Sequence, residues 1–477
     1  MNVTRFTVRT IVVFLSLLSA ACTVGPDYVR PTLVDPLPTA YKELEGWKVA
    51  QPHDVTITER WWERYDDPIL NPLMAQVALS NLTIATTEAR FRQARAAVQG
   101  ARAGYFPSLT AGALATRSSR SGSIGTGNSG GAVSSNFQLP FDVSWEPDLW
   151  GRIRREVEAA QAGAQASAAD LAAVTLSAQA ELANNYFQLR IQDQQKQLLD
   201  DTLALYRKAL ELTRNRFEAG LVAKTDVLQA ETQLKSSEAQ SMDLGVVRSQ
   251  REHAIALLIG TAPASFSLPP SAVINSIPPI PSGLPSELLE RRPDISSAER
   301  RMAAANAQIG IATAAYYPAI RLSAAAGLES SSLASWFTWP SRFWALGGAA
   351  SATLFDGGVR TSLSDQAIAA YDANVATYRE TVLTAFQEVE DNLAALRILQ
   401  DEIEIQKQAV EAAQQVVAIT TNQYQVGSVA YLTVLVAQAT ALANERTALS
   451  LSGRRFTATV LLVKALGGGW VTEKQND

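Results

Sequence analysis

Residues 216–228 read RFEAGLVAKTDVL, and residues 423–435 read QYQVGSVAYLTVL. Each segment has a glycine, Gly220 or Gly427, as its fifth residue and ends on the pair Val-Leu. A glycine at the end of a helical run is typical of a helix C-terminus, because glycine adopts the positive φ that closes a helix. The repeated segment therefore predicts that two helices each end in a sharp turn of the same design.

The runs that lead into these glycines contain neither glycine nor proline. They cover residues 164–219 and 359–426 and are rich in Ala, Gln, Glu and Leu, which favour helix. At about 1.5 Å per residue, the second run would measure roughly 100 Å. Globular helices run to about twenty residues, so this length indicates a coiled coil or a tubular bundle. Returning helices are predicted over 224–259 and 430–466, which makes each half an antiparallel helical hairpin.

Further matching segments extend the repeat over most of the chain. They pair 103–109 with 314–320, 150–154 with 356–360 and 259–260 with 466–467, at offsets between 206 and 211. Two similar halves are therefore predicted, and the seven prolines between them indicate an extended linker. The predicted organisation is a signal peptide over 1–21, an N-terminal segment over 22–68, a first repeat over 69–262, the linker over 263–285, a second repeat over 286–467 and a C-terminal tail over 468–477.

Each half also contains segments in which apolar and polar residues alternate, the period of a β-strand. The predicted strands are 108–117 paired with 136–146 and 319–329 paired with 346–355. Residues 136–146 place Phe137, Phe141 and Trp145 on one face. An aromatic face opposite a polar face is typical of a membrane barrel, although a soluble sandwich strand would alternate in the same way. The loop between the strands of the second pair carries five candidates for an aromatic belt at a membrane interface: Trp336, Phe337, Trp339, Phe343 and Trp344.

Four strands are too few to close a barrel, and lipid does not tolerate open sheet edges. If these strands span a membrane, several chains must therefore assemble. Eight strands from two chains would enclose an interior nearly filled by side chains, whereas twelve strands from three chains would leave a pore. A channel built from this chain would thus be a trimer.

The first residues have the pattern of a bacterial secretory signal, with Arg5 and Arg9 ahead of an apolar stretch over 11–18. Cys22 is the only cysteine of the chain and follows small residues, which favours attachment of lipid at this position. Ordinary signal cleavage would fit the same residues, so both alternatives stay open. Thr23 follows Cys22 in place of an aspartate, which by analogy with bacterial lipoproteins allows transfer to the outer membrane.

The composition argues against several other functions. A net charge of −5 without a basic cluster is not typical of a nucleic-acid-binding protein. Residues 127–131, GNSGG, are similar to a serine-protease nucleophile segment, but the two histidines, His53 and His253, lie in settings unsuited to a triad. Two histidines and one cysteine provide no plausible zinc cluster. We therefore expect no enzyme and no metal site.

Four groups of residues together resemble the TolC-like outer membrane factor family, in particular efflux lipoproteins of the OprM and NodT type. The matching residues are 22–28 with Pro31, 61–62 followed by 67–70, 291–295 followed by 298–299, and 305–310. The resemblance covers nearly the whole chain. It implies an α+β membrane protein: a homotrimer with a twelve-stranded outer-membrane β-barrel, four strands per chain, continued by a long periplasmic α-helical barrel.

The resemblance also implies a function, that of a passive exit duct of a tripartite efflux pump. Such a duct works with a periplasmic adaptor protein and an inner-membrane transporter, often of the resistance-nodulation-division class. It would be anchored in the outer membrane by a lipid on Cys22 and would hold no other cofactor. A type I protein secretion duct of the same fold and a periplasmic coiled-coil scaffold are the alternatives. The cargo, the pump and the adaptor are not identified by the sequence.

In this family the tips of the helical hairpins constrict the tunnel and contact the adaptor. The residues that correspond to these tips are Phe217, Gly220, Leu221, Val222, Thr225, Asp226, Tyr424, Gly427, Ser428, Val429, Leu432 and Thr433. Residues 417–424 contain no carboxylate, so a polar or apolar constriction is expected rather than a strongly acidic one. The two tips are expected to differ where Lys224 and Asp226 in the first correspond to Tyr431 and Thr433 in the second.

Overall fold

The computed structural model describes residues 23–31, 41–43, 60–119, 133–271 and 292–470, and it is built from long helices and one sheet. The signal peptide, Cys22, His53, residues 127–131 and most of the linker and tail lie outside the described residues. The helices are α1 (Leu70–Ser80), α2 (Leu82–Ala103), α3 (Arg152–Glu218), α4 (Lys224–Leu258), α5 (Pro293–Ala314), α6 (Val359–Gln425) and α7 (Tyr431–Ala465). The strands are β1 (Ser108–Ala111), β2 (Leu114–Ser119), β3 (Val133–Trp145), β4 (Ala319–Ser330) and β5 (Arg342–Ser351).

The two predicted helical hairpins are confirmed. The long helices α3 and α6 have 67 residues each, and the returning helices α4 and α7 have 35 residues each. At about 1.5 Å per residue, each long helix measures roughly 100 Å. None of the helices in the described ranges is long and apolar enough to cross a membrane.

The sheet is antiparallel, with β3 next to β4 and β4 next to β5, while β1 and β2 both pair with β3. The predicted strand 108–117 is thus interrupted, although its pairing with β3 is as predicted. The break lies opposite Pro140, since Ala111 pairs with Phe141 and Leu114 with Gln138. Proline has no N–H to donate to a ladder, so the pairing is weakest at this point.

The prediction of a strand over 346–355 was wrong by four residues. β5 covers Arg342–Ser351, and its bounds are set by its partner: Leu328 pairs with Arg342 and Ala319 pairs with Ser351. Residues beyond Ser351 have no residue of β4 opposite them. Phe343 and Trp344 therefore lie within the strand and not in the loop before it.

The described residues form two compact units. We call the first the sheet unit, which consists of the described residues within 1–32, 91–167 and 298–378, and the second the tip unit, which consists of the described residues within 33–90, 168–297 and 379–477. Each takes residues from both halves of the repeat.

In the sheet unit, apolar side chains on one face of the sheet stay exposed. Phe141 and Trp145 of β3 are 46% and 37% exposed, and Trp344 of β5 is 77% exposed. Alanine, serine, glycine and acidic residues occupy much of the opposite face. Such a sheet lacks an apolar partner within its own unit, which fits strands that face lipid on one side.

The core of the tip unit is an aromatic cluster at the middle of α3 and the C-terminal part of α7. The Phe187 and Phe456 rings stack at 4.7 Å, and Tyr65 packs on Phe187 at 4.8 Å. Trp61 is 1% exposed. Asp67 caps α1 by accepting from the Leu70 N–H at 3.0 Å. The residues around Trp61 and Asp67 that carried the family resemblance therefore build this core.

Candidate functional site at the helical hairpin tips

The first tip closes α3 with a Schellman turn around Gly220. Gly220 has a φ of +73°, and its N–H donates to the Phe217 carbonyl at 2.9 Å. The Leu221 N–H donates to the Arg216 carbonyl at 2.9 Å. These two bonds satisfy carbonyl groups that a helix end otherwise leaves open, and the positive φ explains the glycine.

The second tip repeats this turn around Gly427. Its φ is +79°, and its N–H donates to the Tyr424 carbonyl at 3.0 Å. The Ser428 N–H donates to the Gln423 carbonyl at 2.9 Å, and the Ser428 hydroxyl donates to the same carbonyl at 3.0 Å. The helix ends that the two glycines predicted are confirmed.

A buried cluster joins the two hairpins just behind the tips. We call it the tip cluster, and it consists of Leu203, Tyr206, Leu210, Ala230, Leu234, Tyr424, Tyr431 and Val434. Tyr424 is 5% exposed and Tyr431 is 2% exposed, and their rings lie 5.4 Å apart. Because the cluster takes residues from α3, α4, α6 and α7, it packs the two hairpins of one chain against each other.

Arg216 of α3 links the first tip to the end of α6. Its guanidinium donates to the Tyr424 carbonyl and to the Gln425 carbonyl, each at 2.8 Å. It also lies 4.5 Å from the centroid of the Tyr424 ring. A cation on the last carbonyls of a helix is favourable because the helix dipole is negative there. Arg216 thus holds α6 by two charge-assisted hydrogen bonds and one cation–π contact.

Two hydroxyl groups add polar contacts inside the tip cluster. The Thr213 hydroxyl donates to the Ala209 carbonyl at 2.8 Å and lies 3.4 Å from the Tyr424 hydroxyl. Gln233 donates to the Tyr206 hydroxyl at 3.2 Å. Burial raises the pKa of the Tyr431 phenol to about 12, and the neighbouring phenols add to this shift. Tyr431 therefore stays neutral at physiological pH.

The outer surface of the first hairpin is charged. Arg207 lies 3.3 Å from Glu238, and Arg214 lies 3.7 Å from Glu231, so both pairs connect α3 to α4. Exposed ion pairs of this kind contribute little to stability. An open cavity of about 360 Å³ lies beside them, between α3 and α4. Its lining is mostly charged or polar and consists of Arg207, Leu210, Glu211, Arg214, Asn215, Glu218 and Leu234.

The twelve predicted tip residues divide by exposure. Eight are exposed: Phe217, Gly220, Leu221, Thr225, Gly427, Ser428, Leu432 and Thr433. Three are partly buried: Val222, Asp226 and Val429. Tyr424 is buried and packs within the chain. Leu221 at 73%, Leu432 at 50% and Phe217 at 42% are the exposed apolar side chains that a partner could cover. Contact of these residues with an adaptor stays a prediction.

Sequence reasoning missed Arg216 and Tyr206. The two repeated turn segments differ at this position, since Arg216 in the first corresponds to Gln423 in the second. This difference was the one sequence signal that pointed to Arg216. The two tips were expected to differ where Lys224 corresponds to Tyr431, and Tyr431 is buried in the tip cluster. The asymmetry between the tips therefore lies inside the chain as well as at its surface.

The segment after Cys22 is held against the sheet unit. The Val24 N–H donates to the Trp150 carbonyl at 3.1 Å, and Arg154 donates to the Thr23 hydroxyl at 2.6 Å. Gly25 has a φ of +91°, and a Cβ there would lie 2.4 Å from Cα of Gly310. Thr23 is thus fixed between the end of β3 and the start of α3, although Cys22 itself lies outside the described residues.

Signs of metal or triad chemistry are lacking in the part of the chain that the structure describes. No group of three metal-ligating side chains occurs among these residues. His253, on α4, is exposed.

A chain that contains two long helical hairpins and a sheet with one exposed apolar face has the elements of one class of protein, the outer-membrane channel. Comparison with known proteins gives the family. A model described as outer membrane efflux protein matches the chain twice, over residues 73–261 and 284–468. The chain therefore belongs to the outer membrane efflux protein family, and the internal repeat is confirmed.

Relatives and solved structures agree with this assignment. The chain is 32% identical to the toluene efflux pump outer membrane protein TtgF of Pseudomonas putida, over 96% of each chain. It is 31% identical to the pyoverdine export outer membrane protein OpmQ of Pseudomonas aeruginosa, over 97% of this chain and 98% of that relative. The outer-membrane channel OprN superposes with a TM-score of 0.87 at 30% identity, over 94% of this chain and 100% of that chain. The predicted fold, outer-membrane location and role as an efflux duct are confirmed.

Proposed function

We propose that the chain is one protomer of a homotrimeric exit duct in a tripartite efflux pump. The observation that carries this proposal is the sheet, whose two edges, β1 with β2 and β5, lack a neighbouring strand among the described residues. Open strand edges leave backbone N–H and C=O groups unpaired, so a lone chain is not stable in lipid. Three copies supply twelve strand positions, which close a barrel with a pore.

The tips of the helical hairpins form the periplasmic entrance of the duct. Exposed apolar side chains at the tips, such as Leu221, support docking of a periplasmic adaptor. Arg216 and the tip cluster support a constriction that is held together by contacts within each chain. An inner-membrane transporter of the resistance-nodulation-division class supplies the energy, so the chain itself conducts passively and catalyses no reaction.

A lipid on Cys22 anchors each protomer. The fixed position of Thr23 at the junction of β3 and α3 supports this, because a barrel strand meets the membrane surface at its end. The intact mass of the mature chain tests the anchor. Wild type is expected to carry the added mass of acyl chains, and a Cys22→Ser variant is expected to lack it. A wild-type mass that equals the bare polypeptide would contradict the anchor.

The cargo is small molecules, as for the relatives whose names mention toluene and pyoverdine. Because relatives of similar identity are named for different cargoes, membership of the family does not identify the compound that this chain exports. Deletion of the gene, followed by a susceptibility panel of solvents, dyes, metals and antibiotics, tests the role. Increased sensitivity to at least one class is expected, with recovery from a plasmid copy. Unchanged sensitivity together with loss of a secreted protein would instead favour protein secretion.

A further inference from the structure

One face of the sheet carries the polar residues of β3 and β4. The register places Gln138 opposite Glu329 and Asp142 opposite Ala325. Residues on the same strand alternate between faces, so these side chains share the face that is opposite to Phe137 and Phe141. In the proposed trimer the apolar face contacts lipid, and the polar face lines the pore.

Glu329 is held on this polar face by two amide groups. The Asn136 side-chain amide donates to its Oε1 at 2.9 Å, and the Gln138 side-chain amide donates to the same atom at 2.8 Å. Both donors are neutral, so they orient the carboxylate without cancelling its charge. Glu329 is exposed. A fixed negative charge therefore faces the space next to β3 and β4.

Connectivity gives the position of Glu329 along the strands. β4 begins at Ala319, just after α5, and β3 ends at Trp145, just before α3. Glu329 is next to the last residue of β4, so it lies at the end of the sheet away from the helices. The cation on the same face of β4, Arg321, lies at the helical end. The outer end of the polar face is thus acidic.

We propose that Glu329 sets a preference for cations at the outer mouth of the duct, an inference that rests on the trimer proposed above. Twelve strands about 4.8 Å apart and tilted by about 40° give a backbone radius of about 12 Å. Because the side chains point inward, the distance from each carboxylate to the pore axis is shorter than the Debye length, which is about 10 Å at 0.1 M salt. Three oriented carboxylates therefore raise the concentration of cations across the whole mouth.

A structural role for Glu329, as a cross-link between β3 and β4, makes a different prediction. Glutamine at this position has the same shape, and its oxygen can still accept from the two amides. The Glu329→Gln variant therefore keeps the cross-link and removes the charge. An effect of this variant on ion preference follows from charge and not from loss of the strand pairing.

Planar bilayer recordings of the full-length wild type and two variants test the inference. Hexaamminecobalt(III) is added to one side at a time, so that block from the two sides of the membrane can be compared. In 0.1 M KCl, Glu329→Gln is expected to weaken block from the outer side by about tenfold and to leave block from the tip side unchanged. In 1 M KCl, where the Debye length is about 3 Å, the difference is expected to disappear.

Asp142→Asn is the matched control, because it removes one carboxylate from the same face four residues deeper in β3 than Gln138. That offset is about 13 Å, more than a Debye length at 0.1 M, so block from the outer side is expected to change less than in Glu329→Gln. Equal block in wild type and Glu329→Gln, or an equal effect of both variants, would overturn the inference alone. Wild-type protein that forms no conducting channel would overturn the trimeric duct, and the inference with it.

Discussion

At the scale of single residues, Arg216 is the clearest contact between the two hairpins. Its guanidinium reaches two backbone carbonyls of α6, and carbonyls cannot be lost by mutation of the partner helix. The residue of the second half that corresponds to Arg216 is Gln423, and its side chain does not bridge two carbonyls in this way. The backbone carbonyl of Gln423 accepts from the Ser428 N–H. The two tips of one chain are thus joined by an asymmetric link.

Substitution of Arg216 by glutamine is expected to loosen the end of α6. Hydrogen bonds to charged groups contribute about 1.5–3 kcal/mol each when buried. Arg216 is partly exposed, so we expect the two bonds together to stabilise the end of α6 by about 1.4 kcal/mol. Their loss would shift the local opening equilibrium by about tenfold. Hydrogen–deuterium exchange of peptides over residues 424–430 is therefore expected to accelerate by about tenfold, and channel conductance is expected to rise.

Arg214→Gln serves as the control for this change. Arg214 is an exposed neighbour in the same helix, and its pair with Glu231 at 3.7 Å is long. Exchange near Gly427 is expected to stay at the wild-type rate in this variant. Equal exchange in Arg216→Gln and wild type would show that the link to α6 does not stabilise the tip.

Contacts of this kind could not be predicted from the sequence. The repeat identifies Arg216 and Gln423 as corresponding residues, but their neighbours depend on how the two hairpins pack. Tyr431 illustrates the same limit, because a tyrosine beside an exposed turn gives no sign that it is 2% exposed. Gly220 and Gly427 were predictable because a positive φ is a local requirement.

At the scale of elements, the C-terminal ends of the two long helices were predicted more accurately than the bounds of β5, whereas α3 begins at Arg152, twelve residues before the predicted run. The ends of α3 and α6 are set by the glycine that follows each helix, so the sequence contains the signal locally. The bounds of β5 are set by which residues of β4 lie opposite, and Ser351 is the last one paired. In this strand, Ala, Gly and Ser give only a weak alternation of apolar and polar residues. The bounds of β5 therefore cannot be predicted without its partner strand.

The sheet also shows how a single residue changes an element. Pro140 in the middle of β3 divides the opposite strand into β1 and β2, because it offers no N–H. On the other side of β3, Pro140 pairs with Gly327, where a Cβ would lie 2.2 Å from the Leu139 carbonyl oxygen. Close approach of β3 and β4 thus requires glycine at this position.

At the scale of the whole molecule, the duplication explains the composition of the sheet. Each half contributes one strand pair and one helical hairpin, so the chain provides four strand positions and two tips. The family and the fold were predictable because the repeat, the turn glycines and the order of the motifs can all be recognised in the sequence of a single chain. The number of chains in the assembly was argued from strand count alone, since the edges β1, β2 and β5 gain partners only between chains.

The trimer is the central claim, and native mass spectrometry of protein extracted from the outer membrane tests it most directly. One chain of 51.3 kDa, shortened by the signal peptide, is expected to give a complex of three times the mature mass. Mild detergent should preserve it, because the strand edges are paired between protomers. A complex of three mature chains is the predicted result, and a species of one or two chains under the same conditions would contradict the account.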